Sequence, residues 1–263
     1  MNPRRRRLHE LYANRALVPF DGSTNATDVM AEVNLVEEVA RDRTAWICDV
    51  GCGRGWHLSE LRRRGFENLV GVDLSLNQLV CTPKPFREIS LVCADVFRSP
   101  LLPVFDVVTA FLCCLGGVGA EAEAPFVEAL GRLLRPCGAA VISLFTTEMI
   151  CDVVGEFDVT YDSLRPERVQ SSVYVKRLWG KQFLCITQRA TGLWSGSLRE
   201  VLQLPTRGEV EALLVAAGFA RVTWIDGLPG GKFNRVTTFG RGRRTLIAWR
   251  SAENEVLPAK DAL

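Results

Sequence analysis

The sequence predicts a doubly wound α/β fold: a seven-stranded, mostly parallel sheet with an antiparallel β insertion after strand five. Three observations carry that expectation. Short apolar runs alternate with stretches of helical spacing from residue 46 to about 150, the rhythm of a parallel sheet covered by helices. The run Trp46-Ile47-Cys48-Asp49-Val50 ends in a turn with glycines at 51, 53 and 55, and a helix-like segment follows directly. From about 155 to 204 the pattern changes to short alternating runs separated by turn breaks, as in antiparallel strands.

Each element has its own local signal. Residues 1–26 are polar and turn-rich. Thr27-Asp28 reads as a helix cap, and Val29, Val33, Val36 and Val39 carry helical spacing to about Arg41. Strand one is expected over 46–50 and a helix over 54–64, stopped by Gly65. Strand two covers 68–73, and Ser75 caps a short helix that ends near Cys81 because Pro83 and Pro85 follow. Strand three is placed at 89–94 and strand four at 105–111. A helix over 122–135 is ended by Pro136-Cys137-Gly138, and strand five is placed at 139–145.

Phe157–Tyr161, Val173–Val175 and Phe183–Thr187 read as antiparallel strands. Pro205-Thr206 then caps a helix with Val210, Leu213, Leu214 and Ala217 on its apolar side, ended by Gly218. Phe219–Ile225 and Arg244–Trp249 form the last two strands. The chain divides accordingly into an N-terminal helical lid segment (1–45), an α/β domain (46–150 and 205–250) and the β insertion (151–204).

Composition narrows the function classes. A net charge of +2 gives no reason to expect a polyanionic partner, so nucleic acid is disfavoured. Arg4–Arg7 and the Arg235, Arg241, Arg243, Arg244 cluster are the only features that favour an RNA substrate. No apolar run approaches the roughly 18 residues that span a bilayer. The basic start lacks the apolar core of a signal peptide, so a cytoplasmic protein without membrane contact is expected. The nine cysteines include no C-x-x-C pair, so no metal site is expected. Most lie in or beside apolar runs, where Cys acts as a small hydrophobe.

The glycine turn carries the chemistry. Glycines let the chain adopt positive φ and let a ligand approach without a Cβ in the way. The helix start behind them offers free N–H groups. A second acid, Asp73, ends the next apolar run about 20 residues on, where a carboxylate can accept hydrogen bonds from a ribose. An adenosine-containing cofactor follows. The dinucleotide fingerprint G-x-G-x-x-G fits poorly, because Trp56 stands at its third glycine and Asp49 would face a phosphate.

Asp49-Val50-Gly51-Cys52-Gly53-Arg54-Gly55 instead fits D-x-G-x-G-x-G at every fixed position, and here the chain resembles the class I S-adenosylmethionine-dependent methyltransferases. Gly71-Val72-Asp73-Leu74-Ser75, Cys93-Ala94-Asp95-Val96, Phe105-Asp106-Val107-Val108, Leu133–Gly138 and Leu213–Phe219 resemble further stations of that family, in order. Cys137 departs from the family pattern by replacing a glycine. A finer similarity is to the small-molecule branch, the glycine/sarcosine-like and natural-product enzymes.

The resemblance implies a Rossmann-like methyltransferase fold with S-adenosylmethionine as cofactor. Its contacts are expected from Asp49, Gly51, Cys52 and Gly53 in the loop, from Asp73 and Leu74 at the ribose, from Asp95 and Val96 at the adenine, and from Phe111 near the methyl. Tyr12, Leu112, Cys113 and Trp194 are the acceptor-side expectations. The acceptor is expected to be a small molecule methylated on N or O by in-line displacement, mainly through positioning. No catalytic group is assigned; His57, His9 and Tyr12 are candidates, and packing or surface roles explain each of them as well.

Three other readings stay open: an enzyme of the same fold that cyclises the aminobutyrate arm and releases methylthioadenosine, an RNA or tRNA methyltransferase using the arginine clusters, and a cofactor-binding subunit without turnover. The resemblance also leaves a homodimer open.

Overall fold

The computed structural model describes residues 26–80, 89–111, 120–144, 146–148, 155–160, 169–179, 182–191, 194–225 and 244–251. Eleven strands and five α-helices lie among them. Strands β1 (Ile47–Val50), β2 (Leu69–Asp73), β3 (Ser90–Cys93), β4 (Phe105–Ala110), β5 (Leu134–Leu144), β10 (Phe219–Ile225) and β11 (Arg244–Arg250) build a seven-stranded sheet in the order β10-β11-β5-β4-β1-β2-β3. The five strands β1 to β5 are mutually parallel. Strand β11 runs antiparallel to both β5 and β10. Strands β6 (Gly155–Thr160), β7 (Val169–Trp179), β8 (Gln182–Thr191) and β9 (Trp194–Gln203) form a separate antiparallel meander. The doubly wound sheet and the antiparallel insertion are therefore both present.

The strand residues alternate between two apolar clusters, one on each face of the sheet. Ile47, Val107, Val141 and Ile247 face one way, against Val29, Val33 and Val36 of α1 (Ala26–Ala40) and Leu58 and Leu61 of α2 (Trp56–Arg63). Cys48, Val108, Ala140 and Ile142 face the other way, against Phe126, Val127 and Leu130 of α4 (Ala120–Leu133) and Val210 and Leu214 of α5 (Arg207–Ala216). Strands buried on both faces read as continuous apolar runs, which is why β1, β4 and β5 look so uniform in sequence. Helix α1 falls within the segment expected as a lid, and its valines lie in the sheet core. A short helix, α3 (Leu76–Val80), follows β2.

The local signals explain the element ends. Thr206 caps α5 in a reciprocal capping box with Glu209, and Gly218 at φ 86° closes it. Ser75 accepts from the Gln78 N–H at the start of α3.

Two expectations need correction. Strand β5 starts at Leu134, not at 139, and α4 stops at Leu133. Leu134 pairs with Phe105, a bulge lies between Phe105 and Val107, and Cys137 takes φ 61° to carry the chain through the irregularity. The antiparallel sheet has a fourth strand, β9, beyond the three read from the sequence. Its sequence WSGSLREVLQ mixes a glycine and two charges into the run, so the period-two signal is weak.

Candidate cofactor site

Strands β1, β2 and β3 run to one side of the sheet, and the chain then crosses back to lay β4 on the other side of β1. The order reverses between β1 and β4. Ligands of such sheets sit in the crevice outside the carboxyl ends of the strands at that point. Asp49, the glycine loop, Asp73 and Phe111 all lie there, on β1, β2 and the residue after β4.

The loop is held by backbone. Gly51, Gly53 and Gly55 have φ of 73°, 54° and 74°, the left-handed region that a side chain makes costly. The N–H groups of Gly51 and Cys52 both donate to the Val72 carbonyl, at 2.7 and 3.2 Å, which ties the loop to β2. Gly55 stands at the start of α2, and its carbonyl accepts from both the Ser59 N–H and the Ser59 hydroxyl. A Cβ on Gly53 would meet nothing within 4 Å, so this glycine borders open space. Gly71 is the opposite case: a Cβ there would sit 2.7 Å from the Cys52 Sγ and 2.8 Å from both Leu58 and Leu91.

The two acids differ in how far the protein satisfies them. Asp73 accepts from the Gly53 N–H and the Ser75 N–H, one on each oxygen, both at 2.8 Å. Burial pushes its carboxyl up, against the pull of these backbone donors. Each oxygen keeps a second acceptor site for a hydroxyl. Asp49 is 2% exposed. Its Oδ1 accepts from the Thr109 hydroxyl at 2.7 Å, and its Oδ2 is buried with no partner among the described residues. Burial pushes this carboxyl up to about 6; His57 and the Thr109 hydrogen bond pull it down, and Glu32 and Asp73 push it further up.

A buried acceptor without a donor is costly and asks for one from outside. An ammonium group supplies both the donor and the missing charge. The left-handed glycines, the two-oxygen cradle of Asp73 and this unfilled oxygen fit S-adenosylmethionine.

The remaining expected residues are placed as follows. Asp95 caps a 3-10 turn, Val96–Arg98, and accepts from the Phe97 N–H at 3.1 Å. Leu74 and Val96 are half-buried, next to Asp73 and Asp95 respectively. Cys52 is buried. His57 is buried on α2, its Nε2 lies 2.8 Å from Glu32 Oε2, and its ring stacks on Phe111 at 4.5 Å between centroids. His9, Tyr12, Leu112 and Cys113 lie outside the described residues, and Trp194 is placed only as the first residue of β9. Cys93 and Cys137 are exposed rather than packed. Among the described residues no group of His, Cys, Asp and Glu could hold a metal ion. No helix among them is long and apolar enough to cross a membrane.

Sequence reading missed Thr109 and Glu32, and both left a signal. Thr109 interrupts the apolar run of β4. Glu32 falls three residues after Val29 and four before Val36, on the apolar side of α1. A polar group in such a position has a partner inside the protein.

The fold is that of the class I S-adenosylmethionine-dependent methyltransferases, and the site lies where that fold holds its cofactor. Residues 47–138, from β1 into β5, match the model of the methyltransferase domain family. Solved structures share the fold. An S-adenosylmethionine-dependent methyltransferase from Clostridium acetobutylicum superposes with a TM-score of 0.64 at 17% identity, covering 94% of this chain and 99% of its own. An S-adenosylmethionine-bound amino pentose methyltransferase from Micromonospora echinaspora, involved in calicheamicin biosynthesis, gives 0.64 at 22%, over 85% and 90%. A sugar N-methyltransferase from a Streptoalloteichus species gives 0.64 at 24%, over 86% and 89%. A comparison with curated proteins finds no significant match.

Proposed function

We propose that the protein transfers a methyl group from S-adenosylmethionine to a nitrogen or oxygen of a small molecule, with amino sugars as the first acceptor class to test. The unfilled Oδ2 of Asp49 beneath a three-glycine loop is the observation that carries the cofactor half of this reading. The similarity to an amino pentose and a sugar N-methyltransferase supports the acceptor half.

The bound cofactor supplies an electrophilic methyl group on a sulfonium. The protein's own residues then bind and orient. Asp49 accepts from the ammonium and Asp73 from the ribose hydroxyls. Asp95 and Val96 border the adenine. Phe111, 3% exposed at the end of β4, makes that wall of the cleft apolar and keeps water from the reacting atoms. Such a displacement needs alignment more than acid–base help. His57 is held by Glu32 and is given no proton-transfer role. In this reading the insertion that carries Trp194 forms the acceptor side, with Tyr12, Leu112 and Cys113 completing it.

The test is mass spectrometry of the purified protein with S-adenosylmethionine, with and without a panel of amino sugars and a small-metabolite extract. S-adenosylhomocysteine formed only with an acceptor, together with a methylated product, supports the proposal. Methylthioadenosine formed without an acceptor overturns it in favour of cleavage within the cofactor.

A further inference from the structure

The glycine loop is fastened to β2 at successive points. Strands β1 and β2 pair with Val50 opposite Val72, so Asp73 stands one residue past that pair, level with Gly51. The N–H groups of Gly51 and Cys52 donate to the Val72 carbonyl. The Cys52 thiol fills the notch that Gly71 leaves in β2, since a Cβ there would collide with its Sγ. These contacts hold the first half of the loop. The next link uses a side chain: the Gly53 N–H donates at 2.8 Å to Oδ2 of Asp73, across 20 positions of chain.

Gly53 is the point where the loop turns from β2 toward α2. Its φ is 54°, and among the described residues a Cβ on it would meet nothing within 4 Å, so its bond to Asp73 is what fixes it on that side. Gly55 then starts α2, with its N–H donating to the Cys52 carbonyl at 2.8 Å. The other oxygen of Asp73, Oδ1, accepts from the Ser75 N–H at 2.8 Å. The carboxylate is thus a bracket between the start of α3 and the loop, held by backbone at both oxygens.

We propose that Asp73 is a latch as well as a ribose acceptor: by holding the Gly53 N–H it sets the loop that borders the aminobutyrate arm, so the adenosine and amino-acid halves of the cofactor bind cooperatively. The proposal rests on the cofactor reading given above. Toward the arm Asp73 is a positioning residue, acting through Gly53. The coupling comes from shared ordering. Holding a glycine-rich loop in one conformation costs more backbone freedom than holding any other residues would. A ribose that orients the Asp73 carboxylate also orients the acceptor of the Gly53 N–H, so the arm meets a loop already ordered. An arm seated on the loop steadies the carboxylate for the ribose in return, and the coupling is equal in both directions.

The experiment reads the loop and the ligand separately, on the full chain. Amide hydrogen exchange at Gly53 is followed in the ligand-free protein, with the amides of Gly51 and Cys52 as references because they bond to Val72 instead. Calorimetry gives the affinities of S-adenosylhomocysteine and of methylthioadenosine, which has the same ribose hydroxyls and lacks the amino-acid arm. Asp73→Ala removes the latch. Asp73→Ser is the second variant, should the first fail to fold: its hydroxyl stops short of the carboxylate oxygens and keeps a polar group at the end of β2. Asp49→Asn leaves the latch and removes the charge assigned to the ammonium.

In the Asp73 variants exchange at Gly53 is expected to quicken about tenfold relative to the two reference amides, the loss of a hydrogen bond to a charged group. Affinity for S-adenosylhomocysteine is expected to fall about fivefold further than affinity for methylthioadenosine. In Asp49→Asn exchange at Gly53 keeps its rate, and S-adenosylhomocysteine alone weakens. Equal losses for the two ligands in the Asp73 variants overturn the proposal, because Asp73 then serves the ribose alone. A larger loss for S-adenosylhomocysteine with unchanged exchange at Gly53 also overturns it, because the lost charge then accounts for the difference. Quickening of all three amides alike overturns it as general loosening. Absence of binding of both ligands to the unaltered protein overturns the cofactor reading itself, whatever the exchange at Gly53 shows.

Discussion

The two ends of the central sheet treat their acids in opposite ways. At the amino end Asp106 of β4 accepts from the Trp46 N–H at 2.8 Å with one oxygen and pairs with Arg135 through the other. At the carboxyl end Asp49, on the neighbouring strand, is more deeply buried, and one of its oxygens has no partner among the described residues. The first arrangement is complete within the protein and ties β1, β4 and the start of β5 together. The second is incomplete within the protein. An acid whose hydrogen bonds close internally stabilises the fold, and one left open at a strand end stores free energy that a ligand releases.

Substitution at Asp49 should separate the ends most sharply. Asp49→Asn is expected to weaken S-adenosylhomocysteine binding by about 10-fold or more, the cost of losing a charged hydrogen bond, read by calorimetry. It should also stabilise the ligand-free protein by an amount of order 1–2 kcal/mol at neutral pH. The sign follows from the raised carboxyl: its pKa of about 6 in the folded chain lies above the ordinary aspartate value, so ionisation costs more in the folded state. That cost grows as pH rises from about 4 to 6 and persists above. The advantage of the variant in thermal melts should therefore be present near pH 7 and vanish near pH 4, and a variant no more stable at pH 7 breaks the comparison.

Gly71→Ala should lower stability and binding together. Its new methyl collides with Cys52, Leu58 and Leu91 at once, so the loop shifts from β2, at a cost of about 1–3 kcal/mol in denaturant unfolding. Asp106→Ala tests the opposite end: a loss of about 1 kcal/mol, with S-adenosylhomocysteine affinity unchanged. A fall in affinity there would show that the two ends are coupled. Cys137→Gly should show the smallest effect, a gain of about 0.5–1 kcal/mol, because φ 61° is costly for a side chain and open to glycine.

The sequence by itself determined the element order, the glycine loop with its two flanking acids and the change of rhythm after β5. These rest on short-range causes: spacing of apolar residues, capping by Thr206 and Ser75, and left-handed turns that select glycine at 51, 53 and 55. Only the tertiary structure decided which acid stays open, because Asp49 meets Thr109, its one hydrogen-bond partner among the described residues, across 60 positions of chain. The same holds for His57, whose character depends on Glu32 on another helix and on Phe111 at the end of another strand. The start of β5 was also decided there, since the pairing of Leu134 with Phe105 overrides the turn signal of Pro136-Cys137-Gly138. Local pattern selects the elements, and burial and charge, which act through space, select what those elements do when packed together.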